Sequence, residues 1–128
     1  MNYRKISSIS FALLLFVLLS SFTSEAPVKR FSPEGSWEYS VPGVQPGYET
    51  GTMIVAKDGK DYKVTMALNE YYQVAAEKVV YKKKQLSFSV WVETEEILVS
   101  GIFDEDRFTG KIRYSEGEFD LTAVKTSE

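Results

Sequence analysis

Short apolar runs recur along the chain from residue 35 onwards, about 11 residues apart, with polar clusters between them. In the run 35–41, Trp37, Tyr39 and Val41 alternate with polar residues, which is typical of a β-strand with one buried face. The polar clusters contain the Gly, Asp, Asn and Ser residues that favour turns. The pattern therefore predicts eight strands, over residues 35–41, 50–57, 61–68, 73–80, 85–92, 96–103, 107–114 and 118–125.

The first, third, fifth and seventh predicted strands show the alternation most clearly, so one face of each is assigned to the interior. In the fifth strand, Leu86, Phe88 and Val90 alternate with serines. The second, fourth and sixth strands are apolar on both faces or irregular, and their inward residues stay unassigned. The aromatic residues predicted to face inward are Trp37, Tyr39, Tyr62, Phe88, Phe108, Tyr114 and Phe119.

The connections between the predicted strands are short, apart from residues 42–49. The Asp58-Gly59 pair suits the centre of a type I′ hairpin turn, because both residues tolerate positive φ. Strands joined by successive tight turns form an antiparallel up-and-down meander, and eight strands can close into a barrel without exposed edges. The sequence therefore predicts an all-β barrel, and a seven- or eight-stranded sandwich is the alternative.

The N-terminus has the three parts of a secretory signal peptide. Arg4 and Lys5 precede an apolar run at 11–19, and the small residues Ser24 and Ala26 suit a cleavage site. Nine apolar residues are too few for a membrane span, which needs about 20. A secreted or periplasmic location follows, without a membrane span in the mature form or a lipid anchor, which needs a cysteine. The predicted division is a signal peptide over 1–26, a short linker over 27–34 and a barrel domain over 35–128.

Cysteine and histidine are both absent from the chain. Disulfides, Ser-His and Cys-His nucleophile pairs and histidine metal sites are therefore excluded. Removal of residues 1–26 takes away two basic residues and one acidic residue, so the formal net charge changes from −3 to −4. A nucleic-acid partner is not expected, because phosphate binding needs a concentrated positive face.

The charged clusters are interpreted as solvated turns. The run 104–106 has three adjacent carboxylates without the spaced ligands of a calcium loop. Glu93, Glu95 and Glu96 lack the apolar pocket that a catalytic carboxylate pair needs. The lysines at 82–84 are interpreted as a turn at the same end as 104–106, where surface ion pairs are plausible. No catalytic residue, metal site or cofactor is predicted, and the chain is not expected to be an enzyme.

The first predicted strand opens with Gly35-Ser36-Trp37, a Gly-x-Trp motif. With eight short strands behind it, this motif resembles the lipocalin-like (calycin) barrels, in a shortened bacterial form. The resemblance implies that Gly35 and Trp37 belong to a closed barrel base, where a cation from the last strand packs on the indole ring. Lys125 occupies that position here. The Thr-Asp-Tyr motif and the C-terminal helix of the family are missing, and so is the disulfide that many members carry.

Lipocalins bind small apolar ligands inside the barrel, so the resemblance implies a ligand-binding mouth at the end opposite Trp37. Meander topology places Tyr48, Tyr71 and Tyr72 on loops at that end, as candidate ligand-binding residues. The predicted function is non-enzymatic binding of a small hydrophobic ligand or a protein partner through this mouth. The alternative is a secreted protein-interaction module or enzyme inhibitor with a fully packed core. An interior pocket above about 300 Å³ would favour the ligand.

Overall fold

The computed structural model describes residues 30–127 of the 128-residue chain. The predicted signal peptide, residues 1–26, lies outside the described residues and stays a prediction. The described residues form nine strands, most of which begin and end within two residues of a predicted strand. They are β1 (Gly35–Ser40), β2 (Thr50–Asp58), β3 (Asp61–Asn69), β4 (Tyr72–Ala75), β5 (Glu77–Lys82), β6 (Gln85–Val92), β7 (Glu95–Asp104), β8 (Arg107–Tyr114) and β9 (Gly117–Ser127).

All nine strands belong to one antiparallel sheet in the order β4-β3-β2-β1-β9-β8-β7-β6-β5. The first strand pairs with both β2 and β9, which brings the two ends of the domain together. The architecture is therefore an up-and-down, nearly closed barrel, as the sequence predicts. Its two edge strands, β4 and β5, follow each other along the chain.

The prediction of eight strands is wrong, because the predicted fourth strand, 73–80, is divided at Ala76. Its first part, β4, pairs with β3, whereas its second part, β5, pairs with β6. The Ala76 amide donates to the Val64 carbonyl oxygen of β3 at 2.8 Å. After Ala76 the chain pairs with β6 instead of β3. Lys78 then has a φ of 56° beside a register shift in β5. We call this passage between β3 and β6 the seam; Tyr62 and Tyr81 meet there edge to face at 5.2 Å.

Alternate residues of the strands face the interior, so the predicted alternation is confirmed. Ser89 is the exception in β6, because it was predicted to face outward and is buried between Phe88 and Val90. Of the predicted inward aromatic residues, four are buried and Tyr62, Tyr114 and Phe119 are half-buried. Phe108 lies over Gly101, where an added Cβ would come within 2.5 Å of its ring. Glycine is therefore needed at 101 for the ring to pack against the strand. The largest apolar side chains with under 2% exposure are Trp37, Phe103, Phe108, Met53, Leu86, Leu121 and Val64.

The hairpin between β2 and β3 differs from the prediction by one residue. Asp58 pairs with Asp61, so the central turn residues are Gly59 and Lys60 rather than Asp58 and Gly59. Gly59 has a φ of +66°, and Lys60 has no positive φ. This is the type II′ pattern, in which glycine takes the first central position. Within residues 30–127, no helix is long and apolar enough to cross a bilayer.

Candidate functional site

The longest loop, residues 42–49, closes over one end of the barrel; we call it the strap. Its two ends are tied together by the Val41 amide, which donates to the Glu49 carbonyl oxygen at 2.7 Å. Val44 packs against the core. Gly43 has a φ of +97° and lies so close to Phe119 that an added Cβ would be 3.4 Å from the ring. The strap therefore covers the mouth.

Tyr48 at the end of the strap is bonded to the turn between β6 and β7. Its hydroxyl donates to Glu93 Oε2 at 3.0 Å, and the Glu93 amide donates to the Tyr72 hydroxyl at 3.3 Å. The hydrogen bond to the Glu93 carboxylate is the main cause that raises the pKa of Tyr48, followed by desolvation. Glu93 has a φ of 58°, an unfavourable backbone conformation for this residue type. The structure thus brings Tyr48 and Tyr72 together through Glu93.

Tyr71, the third predicted ligand-binding residue, is not part of this group. Its side chain is 94% exposed, and its amide donates to Asn69 Oδ1 at 2.9 Å. Tyr71 lies in the turn before β4, whereas Tyr72 is the first residue of β4 and is half-buried. Only Tyr48 and Tyr72 are therefore placed to act together at the mouth.

The glutamates near the mouth have separate partners. Glu95 Oε2 accepts a hydrogen bond from the Ser115 hydroxyl at 2.6 Å, and Glu96 lies 3.5 Å from Lys78 Nζ. Glu93 is bonded to Tyr48, as described above. Among residues 30–127 there is no group of three potential metal ligands. These three glutamates therefore form separate hydrogen bonds and an ion pair at the surface.

The opposite end of the barrel, the base, is closed by Trp37. Its side chain is fully buried, and its indole N–H donates to the Pro33 carbonyl oxygen at 3.0 Å. Lys125 pairs with Trp37 across β1 and β9, and its Nζ lies 5.6 Å from the ring centroid. Gly35, at the start of β1, is buried with a φ of 138°. The ring centroid of Phe31 lies 5.4 Å from that of Phe103, so the segment just before β1 also packs on the base.

Two open depressions lie on the outside of the barrel. One, of about 400 Å³, lies on β1, β2 and β9 and is lined mainly by outward residues such as Glu38 and Thr52. The other, of about 420 Å³, lies on β7 and β8. Because outward-facing residues make up most of both linings, neither depression is an interior cup.

The depression on β7 and β8 is an apolar groove that the sequence analysis missed. Leu98 and Ile102 are 42% and 57% exposed, with the smaller Ser100 between them. Across the strand pair, Leu98 faces Arg113 and Ser100 faces Lys111. We call these five residues the wall groove. The signal was present in the predicted sixth strand, whose apolar residues occupy both faces.

The apolar surface continues beyond the wall groove onto the neighbouring strands. Trp91, on β6, is 47% exposed and pairs with Glu96, which lies two residues before Leu98 on β7. Val80, on β5, is 58% exposed. It pairs directly with Ser87 on β6, so the two side chains lie on the same face of the sheet. A side of the barrel from β5 to β8 thus exposes four large apolar side chains.

Comparison with known proteins supports the fold alone. No family model matches the sequence, and no curated protein matches it. A solved structure described as a redesigned beta barrel, b11L5F_LGL, is similar to this chain with a TM-score of 0.51 and 13% sequence identity. The match covers 74% of this chain and 91% of the designed one. At that identity the likeness concerns barrel architecture and says nothing about function.

Proposed function

We propose that this chain is an exported, non-enzymatic protein-interaction module, a lipocalin-like barrel with a packed core that binds a partner through its wall groove. The exposed pair Leu98 and Ile102 is the observation that carries the proposal. Large apolar side chains that cluster on the surface of a small soluble domain commonly mark contact sites. The signal-like residues 1–26 support export, and the Gly35-x-Trp37 opening with Lys125 over the ring supports the lipocalin-like type.

The shape and charge of the wall groove define the partner. Ser100 leaves space between Leu98 and Ile102, which suits one apolar side chain of a bound segment. On the β8 side, Lys111 is bonded to Asp120 at 2.7 Å. Arg113 has Glu118 as its neighbour on β9 but forms no ion pair within 4 Å among the described residues. A carboxylate next to the apolar side chain would pair with Arg113. The partner is therefore a protein segment with an apolar residue flanked by acidic residues.

A titration with synthetic peptides tests this function. Peptides with leucine or phenylalanine beside two glutamates should change the emission of Trp91 in a saturable way, and matched peptides with two lysines should not. The double variant Leu98→Ser/Ile102→Ser should abolish the response. Val124→Ser is the control, because Val124 is similarly exposed, at 44%, but lies on β9. An equal response of both variants, or none to any acidic peptide, would contradict the proposal.

Ligand binding at the mouth remains the second candidate, because the strap is a separate loop that could move away from the barrel end. Opening would expose two half-buried side chains, Val44 of the strap itself and Phe119 next to it. Titration with fatty acids, sterols and aromatic metabolites tests this candidate. Saturable binding that is lost in Tyr72→Ala but kept in Leu98→Ser/Ile102→Ser would assign the function to the mouth instead of the wall groove.

A further inference from the structure

The base of the barrel carries a concentration of lysines on the two turns that flank the seam. The turn between β2 and β3 and the turn between β5 and β6 both point towards the base, and Tyr62 and Tyr81 contact each other between them. We call their lysines the lysine face. Its members are Lys57, Lys60, Lys82, Lys83 and Lys84.

Among the described residues, no member of the lysine face forms an ion pair with a carboxylate. Within residues 30–127 there are two ion pairs, Lys78–Glu96 and Lys111–Asp120, and neither involves this face. Two of its members lie over rings: Lys57 Nζ is 4.9 Å from the Tyr62 centroid, and Lys84 Nζ is 5.5 Å from that of Phe31. The positive charges are therefore available to an external anion.

The acidic residues at the same end lie close by but do not pair with these lysines. Asp58 and Asp61 belong to the β2–β3 hairpin, and the acidic turn 104–106 adjoins the lysines through the Phe103 amide, which donates to the Lys84 carbonyl oxygen at 2.9 Å. The ion pairs that the sequence made plausible between 82–84 and 104–106 do not form. The β2–β3 hairpin thus carries two aspartates beside its two lysines, and the excess of positive charge lies in the β5–β6 turn, at Lys82, Lys83 and Lys84.

The backbone of the β5–β6 turn is unfavourable for the residues that occupy it. Lys83 and Lys84 have φ values of 53° and 68°, so both central residues are left-handed, as a type I′ turn requires. Asparagine and glycine are the usual residues there, because a lysine Cβ is strained in this region. Strain of this kind is a reason to look for a role of the side chains. Here the strained positions contribute two of the five positive charges.

The chain also enters the described structure at this end. Arg30 is the first described residue, and Phe31 packs on the base beneath Lys84. The sequence before it contains the apolar run 11–19, which is expected to engage a bilayer during export. The end of the barrel that follows this segment is therefore the end that bears the lysine face.

We propose that the lysine face docks the barrel on an anionic lipid bilayer. The two turns carry no large apolar side chain at their central positions, which suits adsorption to a flat layer of headgroups without insertion. Lysines act as hydrated point charges, whereas recognition of a single phosphate favours the planar fork of arginine. Polybasic clusters are attracted to anionic bilayers in this way, and salt weakens the attraction. The contact leaves the wall groove, on the side of the barrel, free for a protein partner.

Vesicle binding by the full chain tests the proposal. Because residues 11–19 would bind neutral lipid by themselves, the measured quantity is the ratio of binding to two kinds of vesicle. One is phosphatidylcholine alone, and the other has phosphatidylglycerol in about one lipid of three. The anionic vesicles should bind at least about tenfold more strongly, and about 0.5 M NaCl should remove the difference.

Two variants identify the residues responsible. Lys82→Gln/Lys83→Gln/Lys84→Gln should lower the ratio at least about tenfold, because each lysine near an anionic surface contributes roughly fivefold. Lys78→Gln/Lys111→Gln/Arg113→Gln removes the same charge elsewhere and should keep most of the preference for anionic vesicles. Equal losses in the two variants would mean that net charge alone acts, which overturns the proposal. So would a ratio near one in the unmodified chain.

The strain in the turn provides an independent variant that should strengthen the fold rather than weaken it. Lys83→Asn/Lys84→Gly places the preferred type I′ residues in the turn, so thermal unfolding should shift upwards by roughly 5 °C. The same variant should lose about tenfold or more of the preference for anionic vesicles. Increased stability with unchanged vesicle binding would show that these lysines serve no lipid contact. Binding to a soluble acidic peptide but not to anionic vesicles would assign the face to a protein partner and overturn the proposal.

Discussion

The Tyr48 hydroxyl donates a hydrogen bond to Glu93 Oε2 at 3.0 Å, although 45 residues separate the two along the chain. This bond joins the strap to the turn between β6 and β7, on the other side of the mouth. Since the bond is exposed, we expect it to control local opening of the strap more than global unfolding. This hydrogen bond would have to break for the mouth to open and admit a ligand.

Removal of this bond should loosen the strap. In Tyr48→Phe, hydrogen exchange of the Val41 amide, which closes the strap, should become faster, because the strap loses its tether to Glu93. Tyr71→Phe is the matched control, since that side chain contacts nothing comparable, and exchange should stay unchanged. In Glu93→Gln, the pKa of Tyr48 should fall, as measured by absorbance of the ionised phenol. An unchanged exchange rate in Tyr48→Phe would show that the backbone alone holds the strap.

Trp37 should contribute most to the stability of the base. Trp37→Ala removes a fully buried ring and its hydrogen bond to Pro33, and should lower the free energy of unfolding by about 3–5 kcal/mol. Lys125→Gln removes only the cation over the ring and should cost about 1 kcal/mol or less. Urea unfolding measures both. A loss below about 1 kcal/mol in Trp37→Ala would contradict the closed base.

Alkaline pH should destabilise the barrel through Tyr39. Burial raises the pKa of Tyr39 to about 12, against 10.0 for a free phenol. Between these values the unfolded chain loses the phenol proton while the folded chain keeps it, so stability should fall by about 1.4 kcal/mol per pH unit. Tyr39→Phe should show a correspondingly shallower decrease from pH 10 to pH 12. Equal slopes in urea unfolding would mean that the phenol ionises freely in the folded state.

Gly101 should not tolerate a side chain. Gly101→Ala would bring a Cβ within 2.5 Å of the Phe108 ring, which is itself fully buried, and should cost about 1–3 kcal/mol. Ser100→Ala, at the neighbouring exposed position, should change stability by less than about 0.5 kcal/mol. Thermal or urea unfolding of both variants is the measurement, and similar stabilities would show that Phe108 can move away.

The inward residues were predictable because each strand presents its side chains to two faces in strict alternation. Phe88 and Phe108 could be assigned from their immediate neighbours alone. The same local rule failed in the predicted sixth strand, where Leu98 and Ile102 are as apolar as the buried residues beside them. Which face is inside depends there on the strands that pair with β7, so the wall groove became visible only in the folded barrel.

The division of the predicted fourth strand shows a second limit. Nothing in residues 73–80 distinguishes the part that pairs with β3 from the part that pairs with β6. The break occurs at Ala76 because a nearly closed ring requires one segment to pass from one neighbour to the other. That requirement comes from the whole circumference of the barrel and has no local signature.

The sequence by itself determined the all-β meander, the strand positions and the inward face of the regular strands, because turn residues and period-2 alternation act over a few neighbours. Tertiary structure alone decided the seam, the bond between Tyr48 and Glu93, and the packed interior. It also brought together the lysines of two separate turns and left them without ion pairs. These features depend on which distant segments become neighbours when the sheet curves round, and that geometry is set by pairing across the whole chain.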